Sequence, residues 1–274
     1  LTITVAVVVG DGLVVASDSA TTLQANFPDG HAEPIHIWNS ADKIFNLRKG
    51  LPLAAMTWGR GTIQGRSISS HVKDLRQRLS GQSSAHADWQ LDEAAYSMTE
   101  VVDRVKEFFA ERLDASQPSA PMGLLVAGYG ADDDRPALTE LNIDAGTCST
   151  GAELSAGEIG IFQWGQPEAI ARLLDGVSQD LPQALSNLGV PANLVDPYTQ
   201  AIKAQVARPF IYDSMPPVEA IQLAEWLVET TIKFVRFEPG HPTVGGPVEV
   251  AAVTRHEGFK WVKRKHYYTS TLNP

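Results

Sequence analysis

The sequence has 274 residues, is 43% hydrophobic and 20% charged, and carries a formal net charge of −10. This is the composition of a folded globular chain of one large domain or two small ones, and its acidity excludes nucleic acid and anionic membrane as main partners, because both need a dense cationic surface. A single cysteine, Cys148, excludes an internal disulfide framework and fits a reducing compartment, and no apolar run approaches the ~20 residues of a bilayer span.

No Lys or Arg precedes Lys43, so the apolar start lacks the positive flank of a secretory signal and reads as a strand of a cytoplasmic protein. Residues 2–9 are β-branched and apolar, which predicts a buried strand. Gly10-Asp11-Gly12 predicts a turn, and Leu13 to Asp18 predicts the return strand. Antiparallel pairing then places Asp18 beside the start of the first strand. Residues 22–40 are polar, contain Pro28, Gly30 and Pro34, and read as a loop. Strands follow at 43–47 and 51–58, ending in Gly59-Arg60-Gly61.

Ile68, Val72, Leu75 and Leu79 recur at helical spacing, and Ala94, Met98, Val101, Val105 and Phe108 form a second stripe. Strands are predicted at 123–130, 137–143 and 157–165, and a helix start at Pro167 to Leu174. Residues 175–213 read as short helical pieces broken by Pro182, Gly189, Pro191 and Pro197. A long helix spans Pro216 to about Phe237, and strands 247–254 and 258–265 close the chain. The order predicts α+β, with helices on antiparallel sheets in a single domain over 1–274 and a helical elaboration around 175–213.

Thr2 stands at the head of the first strand. A threonine with a free α-amine is a self-contained catalytic unit, because the hydroxyl is the nucleophile and the amine, with a pKa near ~8, takes its proton. A nearby ammonium favours the neutral amine and the alkoxide, and a carboxylate holds that ammonium in place. Asp18, Lys43 and Gly59 lie on the elements that can supply these parts, Gly59 as a backbone N–H for an oxyanion.

Thr2-Ile-Thr-Val-Ala-Val, Asp11-Gly-Leu-Val-Val-Ala-Ser-Asp18-Ser-Ala-Thr, Lys43-Ile-Phe and Thr57-Trp-Gly59 together resemble the proteasome β-subunit superfamily of N-terminal-nucleophile hydrolases, which includes the HslV and Anbu types. The match is specific through residue 61 and looser beyond it. It implies a four-layer αββα sandwich and assembly into a homo-oligomeric ring, with ring size and any partner ATPase left open. It implies Thr2 as nucleophile of a threonine-type peptidase with a peptide substrate and no cofactor. It further implies Lys43 as the tuning lysine, Asp18 as its partner, Gly59 as oxyanion donor, and Thr21, Thr22 and Thr57 at the substrate.

Three departures bear on that reading. The family's Gly-Ser-Gly strand end is Gln163-Trp164-Gly165 here, and its supporting Asp and Ser are replaced within His241-Pro-Thr-Val-Gly-Gly246. Both resemble the divergent Anbu-like branch. Leu1 acylates the Thr2 amine, so Leu1 is removed, by self-processing or by an aminopeptidase, or the chain is a precursor or a silent structural subunit. A small-molecule amidase on the same fold is the remaining alternative.

The other candidates read more blandly. His31 and His36, with Asp29 and Glu33, lack a metal-ligand spacing, and Asp132-Asp133-Asp134 reads as a solvated turn. Thr57 divides evenly between orienting substrate and filling the strand. The basic run Lys260, Lys263, Arg264, Lys265 and His266 suggests a subunit contact as readily as a ligand site.

Overall fold

A computed structural model describes residues 2–27, 32–113, 120–144, 146–154 and 158–265. Strand β1 (Ile3–Val9) is buried throughout, and its alternation splits into two faces. Ile3, Val5, Val7 and Val9 pack on one side against helix α6 (Pro217–Phe237), while Ala6 and Val8 face the opposite sheet. A strand covered on both faces reads as a continuous apolar run, which is what the sequence carries there.

β1 pairs with β2 (Gly12–Ser17) so that Val9 opposes Gly12 and Thr4 opposes Ser17. The sheet is completed by β12 (Gly160–Gly165), β13 (Glu249–Thr254) and β14 (Gly258–Lys263) in the order β12-β1-β2-β13-β14. The second sheet has the order β11-β10-β9-β6-β5, from β5 (Ile44–Asn46), β6 (Leu53–Gly59), β9 (Met122–Gly128), β10 (Ala137–Asp144) and β11 (Thr147–Leu154). Helices α1 (Ile68–Leu79) and α2 (Met98–Ala110) cover its outer face through Val72, Leu75, Val105 and Phe108. Helices α3 (Glu168–Leu174) and α6 cover the first sheet. The inner faces meet through Val15, Ile44, Met56, Leu125 and Val253. The fold is therefore the predicted four-layer αββα sandwich.

Four local readings are corrected. Residues 22–40 are not a loop, because Thr21–Asn26 (β3) and Ala32–Trp38 (β4) pair as a two-stranded ribbon. Leu23, Ile35 and Trp38 are exposed there, so no buried face imposes an apolar alternation. Pro34 is accommodated beside the register shift at Leu23/Gln24. The edge strand β11 is missed in the sequence because its Thr, Ser and Gly residues carry no period-two pattern. Pro197 does not break its helix. α5 (Ala192–Val206) runs through it, held by buried Val195 and Thr199 and packed against α4 (Leu181–Asn187). Ala94 lies in the turn before α2 rather than on its stripe. Two small strands, β7 (Thr62–Ile63) and β8 (Arg66–Ser67), lead into α1, whose N-cap Ser67 accepts the Ser70 N–H.

Candidate active site

The strand ends of the first sheet bring the site together. Asp18 follows β2, its backbone N–H donates to the Ile3 carbonyl, and this sets its side chain beside Thr2. The Thr2 hydroxyl donates to Asp18 Oδ1 at 2.6 Å, and the Ile3 N–H donates to the same oxygen at 3.0 Å. Asp18 Oδ2 accepts from Ala20 N at 3.0 Å and Gly245 N at 3.1 Å. Asp18 has no solvent exposure, and these donors replace the water it gave up.

Lys43 comes from the other sheet, one residue before β5. Its ammonium lies 2.5 Å from Asp18 Oδ1 and also donates to Thr2 Oγ1. Thr2 and Lys43 are 4% and 6% exposed, so the three side chains meet in a space with little water. Burial pulls the Lys43 pKa below its ordinary value, against the opposing pull of Asp18. A cation held against a hydroxyl oxygen, with a depressed affinity for its own proton, is a group that stabilises an alkoxide and suppresses protonation of an adjacent amine.

Gly59 ends β6 with φ +85, a conformation suited to glycine. Two contacts tie this strand end to the site. Thr57 N donates to the Lys43 carbonyl at 3.0 Å. The Trp58 ring stacks on Trp164 across the two sheets, at 4.9 Å between centroids, and Trp164 pairs with Thr4 while Gly165 pairs with Ile3. Gly165 has φ +101, and a Cβ there would overlap the Thr2 carbonyl oxygen. The Gln166 N–H donates to that same oxygen at 2.8 Å.

Of the remaining sequence candidates, Thr57 directs its hydroxyl to the Gly123 carbonyl at 3.1 Å and is buried. Thr21 and Thr22 open β3, with Thr22 Oγ1 buried and unpartnered. Sequence reasoning missed the backbone support of Asp18 by Gly245, since a main-chain donor leaves no side-chain signature. Ser17, a polar hairpin residue by its sequence, turns its hydroxyl to the Ile3 and Asp18 carbonyls at 3.1 and 3.0 Å.

Other groups fall away from the site. Leu1, Asp29, His31 and His266 lie outside the described residues. Among the described residues no cluster of three His, Cys, Asp or Glu is placed to hold a metal. Asp133 caps the Gly130 N–H and Asp134 pairs with Arg255, which makes the acidic run a structural turn. Burial pushes the Cys148 thiol up to about 11, away from nucleophile chemistry. No helix among the described residues is long and apolar enough to cross a membrane.

No protein-family model matches the chain, and no curated protein is similar to it in sequence. Among solved structures, it is similar to the Anbu complex of Pseudomonas aeruginosa, described as a helical assembly, at TM-score 0.51 and 17% identity, over 98% of this chain and 90% of that one. It is also similar to a Gly-1 mutant of Anbu from Hyphomicrobium sp. strain MC1, at TM-score 0.47 and 16% identity, over 99% and 91% of the two chains. The first likeness is one of fold: the chain shares the fold of that Anbu subunit.

Proposed function

We propose that this chain is a proteasome-like amide-bond hydrolase of the threonine type, with the hydroxyl of Thr2 as nucleophile once the peptide bond before it has been cut. The observation that carries the reading is the three-body contact of Thr2 Oγ1 with Lys43 Nζ and Asp18 Oδ1. In this mechanism the freed Thr2 amine takes the hydroxyl proton and the oxygen attacks the scissile carbonyl. The Lys43 ammonium stabilises the developing alkoxide and keeps the amine neutral by charge repulsion. Asp18 anchors Lys43. Gly59 presents its N–H to the tetrahedral oxyanion, the amine protonates the leaving nitrogen, and water then hydrolyses the threonyl ester.

While Leu1 is attached, the Thr2 nitrogen is an amide and cannot act as a base, so removal of Leu1 is the activating step. Peptides are the substrates, with Thr21, Thr22 and Thr57 near the bound chain. We further propose that residues 1–274 work as one domain with 175–213 as its helical elaboration, that copies associate into a homo-oligomer, and that the protein acts in the reducing cytoplasm, as its lone unpaired cysteine suits.

The test is covalent. A peptide carrying an electrophilic carbonyl is incubated with the purified protein, and the intact mass and the modified residue are read by mass spectrometry. The expected result is a protein beginning at Thr2 and a single adduct on Thr2 that is lost in Thr2→Ala. Protein that retains Leu1 in every molecule and takes no adduct overturns the reading.

A further inference from the structure

Lys265 is a buried cation that the mechanism above does not use. Its side chain is 5% exposed and sits just beyond β14, within the basic run noted in the sequence. Unlike a surface lysine, it is surrounded by acceptors. Its ammonium lies 2.5 Å from Glu249 Oε2, 2.8 Å from the Ala41 carbonyl, 3.1 Å from Ser19 Oγ and 3.4 Å from Asp42 Oδ1. Glu249 is itself 2% exposed, opposes Ser17 across β2 and β13, and accepts the Lys265 backbone N–H at 3.4 Å. Two opposite charges withdrawn from water in this way are costly unless each is well partnered.

The placement of those partners is the informative part. Ser19 follows Asp18, and Ala41 and Asp42 precede Lys43. Ser19 O also accepts the Ala41 N–H at 2.9 Å, Ser19 N donates to the Gly245 carbonyl at 2.9 Å, and Ser19 Oγ donates to the Pro247 carbonyl at 2.6 Å. The Lys265 ammonium thus crosslinks the two backbone segments that carry Asp18 and Lys43 to the strand that follows the Gly245 support.

We propose that Lys265, paired with Glu249, is a positioning residue of the Thr2 site: it clamps the Asp18 and Lys43 segments together and, with Glu249, balances the charge that Lys43 feels. This rests on the hydrolase reading above. Lys43 faces Asp18 and Thr2 directly, with Lys265 and Glu249 acting on it with opposite sign. Asp42 adds a partly exposed carboxylate beside Lys265, and Lys49, Lys73, Arg76 and Arg264 line, together with Glu249, a cavity of about 310 Å³.

The two charges give opposite predictions. Lys265→Met leaves the Glu249 carboxylate uncompensated, which favours the protonated forms of Lys43 and of the Thr2 amine. Glu249→Gln leaves the Lys265 ammonium uncompensated, which disfavours them. The rate of Thr2 modification by the electrophilic peptide is measured against pH on processed protein. The acid limb is expected to move to higher pH by several tenths of a unit in Lys265→Met and to lower pH in Glu249→Gln. Lys265→Arg keeps the wild-type position. The double variant Lys265→Met/Glu249→Gln, which buries no lone charge, returns the limb towards it and remains folded.

A scaffold role alone lowers the rate at every pH and the melting temperature without moving the limb. That outcome in both single variants overturns the proposal and leaves the hydrolase reading intact. NMR titration of the Lys43 side chain in the same full-length variants reports the same opposite shifts without needing activity. An unlabelled wild-type protein therefore sinks the hydrolase reading, while the NMR titration still decides for or against Lys265.

Discussion

The Lys43 ammonium lies 2.5 Å from Asp18 Oδ1, and the two come from different sheets. A pair with both members nearly waterless is stable only while both are present. Asp18→Ala therefore leaves a buried cation facing a hydroxyl and is expected to cost about 3–5 kcal/mol of folding stability. Lys43→Met costs less, since Asp18 keeps its donors from Thr2, Ile3, Ala20 and Gly245. Both variants are expected to lose Thr2 modification. Chemical denaturation and adduct formation measured together separate the effects, and a Lys43→Met protein that labels at the wild-type rate removes Lys43 from the mechanism.

In the proposed mechanism Gly59 serves through its conformation as well as its N–H. A Cβ at this residue would meet the Pro121 carbonyl oxygen at 2.6 Å and Met122 Cα at 3.2 Å, with φ already at +85. Gly59→Ala is expected to rotate the strand end and slow acylation by about 10²–10³, the typical loss when one oxyanion donor is removed. Single-turnover acylation against a fixed probe gives the number. A loss smaller than tenfold with intact folding places the oxyanion elsewhere.

The site was legible in the sequence where chemistry and strand order coincide. Thr2, Asp18 and Lys43 bring a hydroxyl, a carboxylate and an ammonium to successive strand ends, and an antiparallel hairpin fixes the distance between the first two. The fold was legible for a related reason, since β1, β2 and α6 carry strong apolar patterns. What escaped was non-local or patternless. The Lys265–Glu249 pair joins residues 16 apart that look like surface charges until β13 and β14 fold over Ser17 and Asp42. Gly245 acts through its backbone. The ribbon of β3 and β4 and the edge strand β11 have no fully buried face, so nothing imposes a period on them.

In the strand end Gln163-Trp164-Gly165, Trp164 stands where the resembled family has a serine, and Gly165 approaches Thr2 closely. With φ +101 and no room for a Cβ against the Thr2 carbonyl, Gly165→Ala combines backbone strain of roughly 1–3 kcal/mol with displacement of the Thr2 peptide. Gly189→Ala is the matched control, because φ is +83 there and nothing lies within 4 Å of the added carbon. Both are expected to lower the melting temperature, but only Gly165→Ala slows Thr2 labelling in the fraction that remains folded. Equal labelling of the two variants shows that Gly165 does not hold Thr2 in place.

His71 gives the fold an acid-sensitive point away from the site. It is buried on α1, with Nε2 against the Ile63 carbonyl at 3.0 Å and Nδ1 unpartnered. Burial lowers its pKa, Arg66 and Arg112 add to this, and the Ile63 hydrogen bond and Asp74 oppose it. A group whose folded pKa lies below its unfolded value of about 6.5 binds fewer protons in the folded chain. Its contribution to stability is complete above that value and is lost as pH falls through the folded pKa. The urea midpoint of the wild type is therefore expected to fall more steeply from pH 7.5 to pH 5 than that of His71→Gln, whose amide retains a donor for Ile63. Parallel midpoints, or an NMR titration of His71 at or above 6.5, contradict the assignment of this acid sensitivity to His71.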